Sequence, residues 1–228
     1  MAASHCSEAV LWTELTRSSN TSAVGVFELG EDGTLPGSGP IQTIFPTSNK
    51  TGPIASRQDR SYSHEVIIDP TNTYVLVPDL GADLVRVFTY APDTIAPLVE
   101  TAPLNAEAGA GPRHGFFRVN DAGETFFFFG GELSQVVYSY KVTYGDSGLT
   151  FDKVFEAPAL GLNSTLAVNT APVSECAITV CLRTTLGRDE AHHILTSSNS
   201  RTKSFWSSLP ANGPSRPPLS TSRVHLTP

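Results

Sequence analysis

The sequence predicts an all-β chain built from a repeated unit, and three observations carry that prediction. A pattern recurs with a period of about 50 residues, which marks one supersecondary unit being stacked. Within each period, runs of β-branched and aromatic residues alternate with Asn, Asp, Gly and Pro, the signature of short strands joined by turns. The 228 residues include 18 Gly and 17 Pro, with 39% hydrophobic and 16% charged, a profile of strands and loops rather than helices. Four strands per period favour propeller blades over a plain sandwich, since blades are four-stranded sheets set around a channel. At that spacing the chain holds about four blades.

Taken in order, residues 1–19 read as an irregular N-terminal segment and residues 20–180 as an incomplete propeller. Residues 23–29 (Ala-Val-Gly-Val-Phe-Glu-Leu) read as one alternating strand of a partial copy. The first full copy opens at His64, turns at Asp69-Pro70 and Thr71-Asn72, continues through residues 74–79, and ends on residues 84–90. A second opens at Arg113-His114, turns at residues 120–123, passes through Phe126-Phe127-Phe128-Phe129, and ends at residues 135–140. Another begins near Ser174. Residues 181–228 read as a degraded blade and an irregular Pro/Ser-rich tail, with five prolines from residue 207 onward and no alternation. Such a stretch buries too little apolar surface to offset its ordering entropy.

Charge narrows the function. The net charge is −7, and residues 1–180 carry 9 Lys/Arg against 20 Asp/Glu. Nucleic-acid affinity rests on clustered Lys and Arg that displace counterions, so nucleic acid is set aside as a partner. No apolar stretch reaches the ~18 residues of a spanning helix, and residues 1–20 lack the ~7–15-residue apolar run of a signal peptide. The expectation is a soluble cytoplasmic chain with no membrane partner. Cys6, Cys176 and Cys181 are odd in number and lack C-x-x-C spacing. Adjacent His192-His193 on a strand would point to opposite faces. No metal and no cofactor are expected, and the motifs of serine hydrolases, P-loops, zincins and dinucleotide-binding folds are missing from the sequence.

The repeat itself nominates a site. His64 and Arg113-His114 open two neighbouring copies, and Asp79 and Glu132 follow the second strand of each. If the copies are related by rotation about a channel, these five face one space. The set supplies a proton-transferring imidazole, a guanidinium for an anionic substrate group, and carboxylates to orient them. A His or Asp recurring in this way also fits a residue that bonds its own turn.

At these residues the sequence resembles the lactonase and carboxymuconate-cyclase family of seven-bladed β-propellers, also described as 6-phosphogluconolactonase-like or cycloisomerase-2. The resemblance rests on Ser63-His64-Glu65-Val66-Ile67-Ile68-Asp69-Pro70, on residues 75–88 with their Val-Pro-Asp-Leu-Gly-Ala-Asp run, and on Gly111-Pro112-Arg113-His114-Gly115. It implies a lactonase or lactone-forming cycloisomerase acting on a small carboxylated or phosphorylated lactone. It also implies catalytic roles for His64, Arg113 and Glu132, and for a second arginine after a Ser-Ser pair. Ser197-Ser198 is followed by Asn199-Ser200-Arg201, so Arg201 is the match, displaced by two residues. His114 and Asp79 remain as substrate-binding candidates. Seven blades of about 50 residues need roughly 350, against 228 here. An incomplete ring exposes sheet edges, and open edges invite self-association. The other expectation is a non-catalytic propeller fragment or binding module.

Overall fold

A computed structural model describes residues 8–16, 21–35, 37, 39–48, 52–91, 97–161, 173–179, 193–198 and 204–208. Among them there is no helix, and the strands form four antiparallel sheets. The first sheet is β1 (Glu8–Thr16), β2 (Thr21–Leu29) and β3 (Gln42–Ile44). The second runs β4 (Ile67–Ile68), β5 (Tyr74–Asp79), β6 (Leu84–Thr89) and β7 (Val99–Glu100), with β8 (Leu104–Asn105) also on β6. The third comprises β9 (Pro112–Val119), β10 (Thr125–Gly131), β11 (Val136–Gly145) and β12 (Gly148–Pro158) in sequential order. The fourth is β13 (Val173–Thr179), β14 (His193–Ser198) and β15 (Ser204–Ser208).

Successive sheets pack face to face, and this packing explains the apolar runs. Side chains on a strand alternate between faces, so a strand covered on both sides is apolar throughout. Along β5, Val75 and Val77 pack with Val24, Val26 and Phe88 between the first and second sheets. Leu76 turns the other way, joining Val85 and Val87 against Phe127, Phe129, Tyr138 and Tyr140 of the third sheet. On β10, Phe128 faces away from Phe127 and Phe129 and meets Val137, Ala159 and Val173 of the fourth sheet. Phe129 stacks on Tyr138 and Tyr140 with centroids 4.9 and 5.8 Å apart. Each fully buried Val, Leu or Phe among them contributes about 1.5–3 kcal/mol of transfer free energy.

Two expectations change. Residues 1–19, read as irregular, contain β1, because Val10, Leu11, Trp12 and Thr13 are strand formers and β2 offers a paired register from Glu8↔Leu29 to Thr16↔Thr21. The stretch read as a degraded blade contains β14, which pairs with β13, and β15, which pairs with β14.

Turn carboxylates lock the strand ends. Asp69 accepts N–H groups from Thr71, Thr73 and Tyr74 at 2.9, 2.8 and 2.7 Å, the Thr71 hydroxyl at 2.5 Å, and the Tyr144 hydroxyl of the next sheet at 2.9 Å. Burial pushes its pKa up, yet the hydrogen bonds from Thr71, Tyr74 and Thr73 outweigh burial and hold the carboxyl below its ordinary value. Since the folded carboxyl titrates below the unfolded one at ~3.9, its contribution is complete above that pH. It fades as pH falls through the folded value. Asp69→Asn should therefore lower the urea midpoint at pH 7 by the equivalent of about 1–3 kcal/mol. The difference from wild type should shrink steadily below pH 4.

Candidate functional site

The strand openings of the second and third sheets and the link after β10 meet in one cluster. At its centre is Glu132, only 6% exposed. Its Oε2 accepts Arg113 Nε at 2.8 Å, and its Oε1 takes Nη2 of Arg57. Arg113 lies on β9 of the same sheet, whereas Arg57 comes from the turn ahead of the second sheet, so one carboxylate ties two sheets together.

Backbone contacts place all three residues. The 109–111 loop lies against the link after β10: Gly111 O accepts Glu132 N–H at 2.9 Å, and Ala110 O accepts Leu133 N–H at 3.2 Å. Gly111 has φ +62°, and a Cβ there would sit 2.5 Å from Leu133 Cγ, so only glycine fits. Asp83 of the second sheet clamps the loop by accepting Gly109 and Gly111 N–H at 2.7 and 2.8 Å. The Arg57 turn is held by Gln58, fully buried, whose Nε2 donates to Leu80 O at 3.0 Å and whose Oε1 accepts Ile54 N–H at 3.2 Å.

His64 and His114 stand beside this pair of guanidiniums, with ring centroids 6.4 Å apart. Burial pushes the His64 imidazole down to about 4, and Arg113, His114 and Arg57 act in the same direction. It is uncharged at neutral pH. Burial also lowers His114, against the pull of Glu175. Glu65 lies between the second and third sheets, where its Oε2 accepts Gly115 N–H at 2.8 Å. Burial pushes its carboxyl up to about 7, opposed by that hydrogen bond and reinforced by Glu175. Gly115 leaves no room for a side chain, since a Cβ would meet Phe128 O at 2.5 Å.

The structure thus brings His64, Arg113, His114 and Glu132 together. Glu132 grips the two arginines rather than the imidazole. Arg201 lies outside the described residues. Asp79 stands apart: it is wholly enclosed and accepts Ser61 Oγ–H at 2.6 Å, Tyr62 N–H at 2.8 Å, Ala82 N–H at 3.2 Å and Arg86 Nε at 2.9 Å. No oxygen of Asp79 faces solvent for a substrate to reach. The reason is register. Asp79 pairs with Ser63 and Leu84, while Gly131 pairs with Pro112 and Val136. Left-handed Asp83 (φ 53°) and Gln135 (φ 58°) follow four residues later in both. Asp79 is therefore equivalent to Gly131, and Glu132 to Leu80, one residue off the equivalence read from sequence. A one-residue slip turns a side chain to the opposite face.

Arg57, Glu65, Asp83 and Glu175 were not singled out in the sequence. Glu65 and Asp83 lie within the runs that carried the resemblance, next to His64 and four residues after Asp79, and offered that much signal. Arg57 sits in an irregular segment with no repeat partner.

The family described as "Lactonase, 7-bladed beta-propeller" matches residues 16–177. The chain belongs to the seven-bladed lactonase propeller family. A probable 6-phosphogluconolactonase of Arthroderma benhamiae is 36% identical over 93 residues, 41% of this chain and 23% of that protein. A 6-phosphogluconolactonase of Yersinia pestis is 40% identical over 68 residues, 30% of this chain and 20% of its own length. Among solved structures, the periplasmic gluconolactonase of Pseudomonas aeruginosa superposes with a TM-score of 0.58 at 23% identity, covering 85% of this chain and 47% of that one. A putative 6-phosphogluconolactonase of Bacteroides fragilis gives 0.52 at 21% identity, covering 80% and 52%. The matches span about a fifth to a quarter of these two curated relatives and about half of the two solved chains. At that identity the solved chains establish the propeller fold. Among the described residues no helix is long and apolar enough to cross a membrane.

Asp79, set apart from the cluster, and Glu132, at its centre, differ in kind, and denaturation separates them. Asp79→Ala strips Arg86 of its enclosed partner, leaving it the more exposed Glu100 and Thr47 O, and orphans the Ser61 hydroxyl and the Tyr62 and Ala82 N–H groups. It should cost about 3–5 kcal/mol in urea unfolding. Arg113→Ala should cost clearly less, because Arg113 is partly exposed and Glu132 keeps Arg57.

Proposed function

We propose that the cluster hydrolyses a small anionic lactone of the 6-phosphogluconolactone type. The single observation that supports this reading most is the pairing of two guanidiniums, Arg57 and Arg113, on the one nearly enclosed carboxylate of Glu132. Two positive charges against one negative leave a net positive charge held in a fixed geometry. That arrangement suits a phosphate or carboxylate, because guanidinium matches such oxygens bidentately.

In this reading Glu132 is a positioning residue that keeps both guanidiniums turned toward the substrate. His64, beside them, accepts a proton from water as the water oxygen attacks the lactone carbonyl. The positive charge of Arg113 stabilises the oxyanion that forms. Collapse of that intermediate expels the ring oxygen, which takes the proton back from His64 and leaves an open-chain hydroxy acid. The relatives named 6-phosphogluconolactonase support the substrate class. The cycloisomerase direction, forming a lactone from a muconate-type acid, would use the same arginines and imidazole without the attacking water. Because the chain spans only about half of the solved propellers it matches, an anion-binding module without turnover is the second reading.

The test is hydrolysis of 6-phosphogluconolactone by the full chain, measured as acid release above the spontaneous rate. The expected outcome is a saturable rate that falls about 10²–10³-fold in Arg113→Ala and about 10²–10⁴-fold in His64→Ala. Phosphate binding without a rate above background supports the binding-module reading instead. A rate unchanged in both variants contradicts the assignment of roles.

A further inference from the structure

We propose that Glu65, His114 and Glu175 form a binding site for a divalent transition metal ion, with Zn2+ the best match. The ligands are Nδ1 of His114 and one oxygen of each carboxylate. This site borders the Arg57–Glu132–Arg113 cluster through His114, uses none of those three side chains, and does not depend on the lactonase reading.

Three residues from three different sheets converge here. Glu65 precedes β4, His114 lies on β9 and Glu175 on β13. Nδ1 of His114 stands 3.7 Å from Glu65 Oε2 and 3.5 Å from Glu175 Oε1, and one donor atom from each residue lies within 4.8 Å of the others. Two ligands at 2.0–2.1 Å from a tetrahedral ion stand ~3.3–3.4 Å apart. Both His114 distances are within a few tenths of an ångström of that spacing, and the two carboxylate oxygens, within 4.8 Å, would draw together around the ion.

Charge argues in the same direction. Two carboxylates flank one imidazole, and among the described residues neither carboxylate forms an ion pair with Lys or Arg. A cation between them relieves the repulsion between Glu65 and Glu175. The Gly115 N–H that holds Glu65 Oε2 supplies the supporting contact typical of a ligating carboxylate.

The donor set selects the ion. One nitrogen and two oxygens are too few and too mixed for Ca2+, which takes 6–8 oxygens, or for the octahedral shell of Mg2+. Imidazole with carboxylate suits Zn2+, and three protein ligands leave a fourth position for water. Glu175 is more than half exposed, so the site opens to solvent on that side.

The test is isothermal titration of Zn2+ into the full chain after chelator treatment and dialysis, alongside Glu175→Gln and His114→Gln. The expected result is saturable binding whose affinity falls about tenfold or more in each variant, while a thermal scan of Glu175→Gln without metal overlays wild type. Zinc should also raise the wild-type midpoint, and raise it less in the variants. Absence of saturable zinc binding would overturn the proposal. So would zinc affinity unchanged in both variants, since the ion would then be held elsewhere.

Discussion

One nearly enclosed carboxylate organises the candidate site of this propeller. Glu132 is removed from water, a transfer that costs several kcal/mol for an ion, and two guanidiniums meet it there. Near a protein surface each such contact is worth up to ~4 kcal/mol before screening, and the half-exposed Arg57 contributes the smaller share. The arrangement has consequences beyond Glu132 itself. Arg113 and Arg57 cannot turn away without stranding a buried charge, so their outward faces are held in place before any substrate arrives. That preorganisation is the main physical reason to read the cluster as a site rather than as a surface ion pair.

The cluster depends in turn on the packing of successive sheets. Val75 and Val77 meet the first sheet while Leu76 meets the third, and Phe128 meets the fourth while its neighbours meet the second. With both faces of each strand committed, a strand cannot slip by one residue without placing its whole apolar set wrongly. The rigid register carries Arg113, His114 and Glu132 to their places. Asp83 and the backbone of the 109–111 loop complete the positioning by joining the second sheet to the third.

Much of this was legible in the sequence because the repeat is strong where the core is strong. The runs at residues 74–79 and 125–131 announced buried central strands, and the Gly-Pro-Arg-His-Gly run announced the opening of a sheet. The strand openings singled out His64, Arg113 and His114, which lie near one another, whereas Glu132 was reached through an equivalence with Asp79 that the register does not bear out. Asp79 misled because sequence similarity aligned two carboxylates one residue out of register, and only the pairing of Ser63 with Asp79 and of Pro112 with Gly131 reveals the slip. Arg57 was invisible because it lies on a turn outside the repeat, and a turn residue's reach is decided by tertiary contacts such as that of Gln58 with Leu80. Glu65 and Glu175 escaped notice because their proximity arises from three sheets meeting, which no local spacing encodes.

The central claim is that Glu132 holds Arg57 and Arg113 as a ready anion site, and its most direct test is a crystal structure of the chain soaked with 6-phosphogluconate. The account predicts the ligand's phosphate or carboxylate within hydrogen-bond distance of both guanidiniums, with Glu132 still bound to each and the imidazole of His64 facing the ligand. Density for the ligand elsewhere, or Arg113 turned away from Glu132 into solvent, would contradict it.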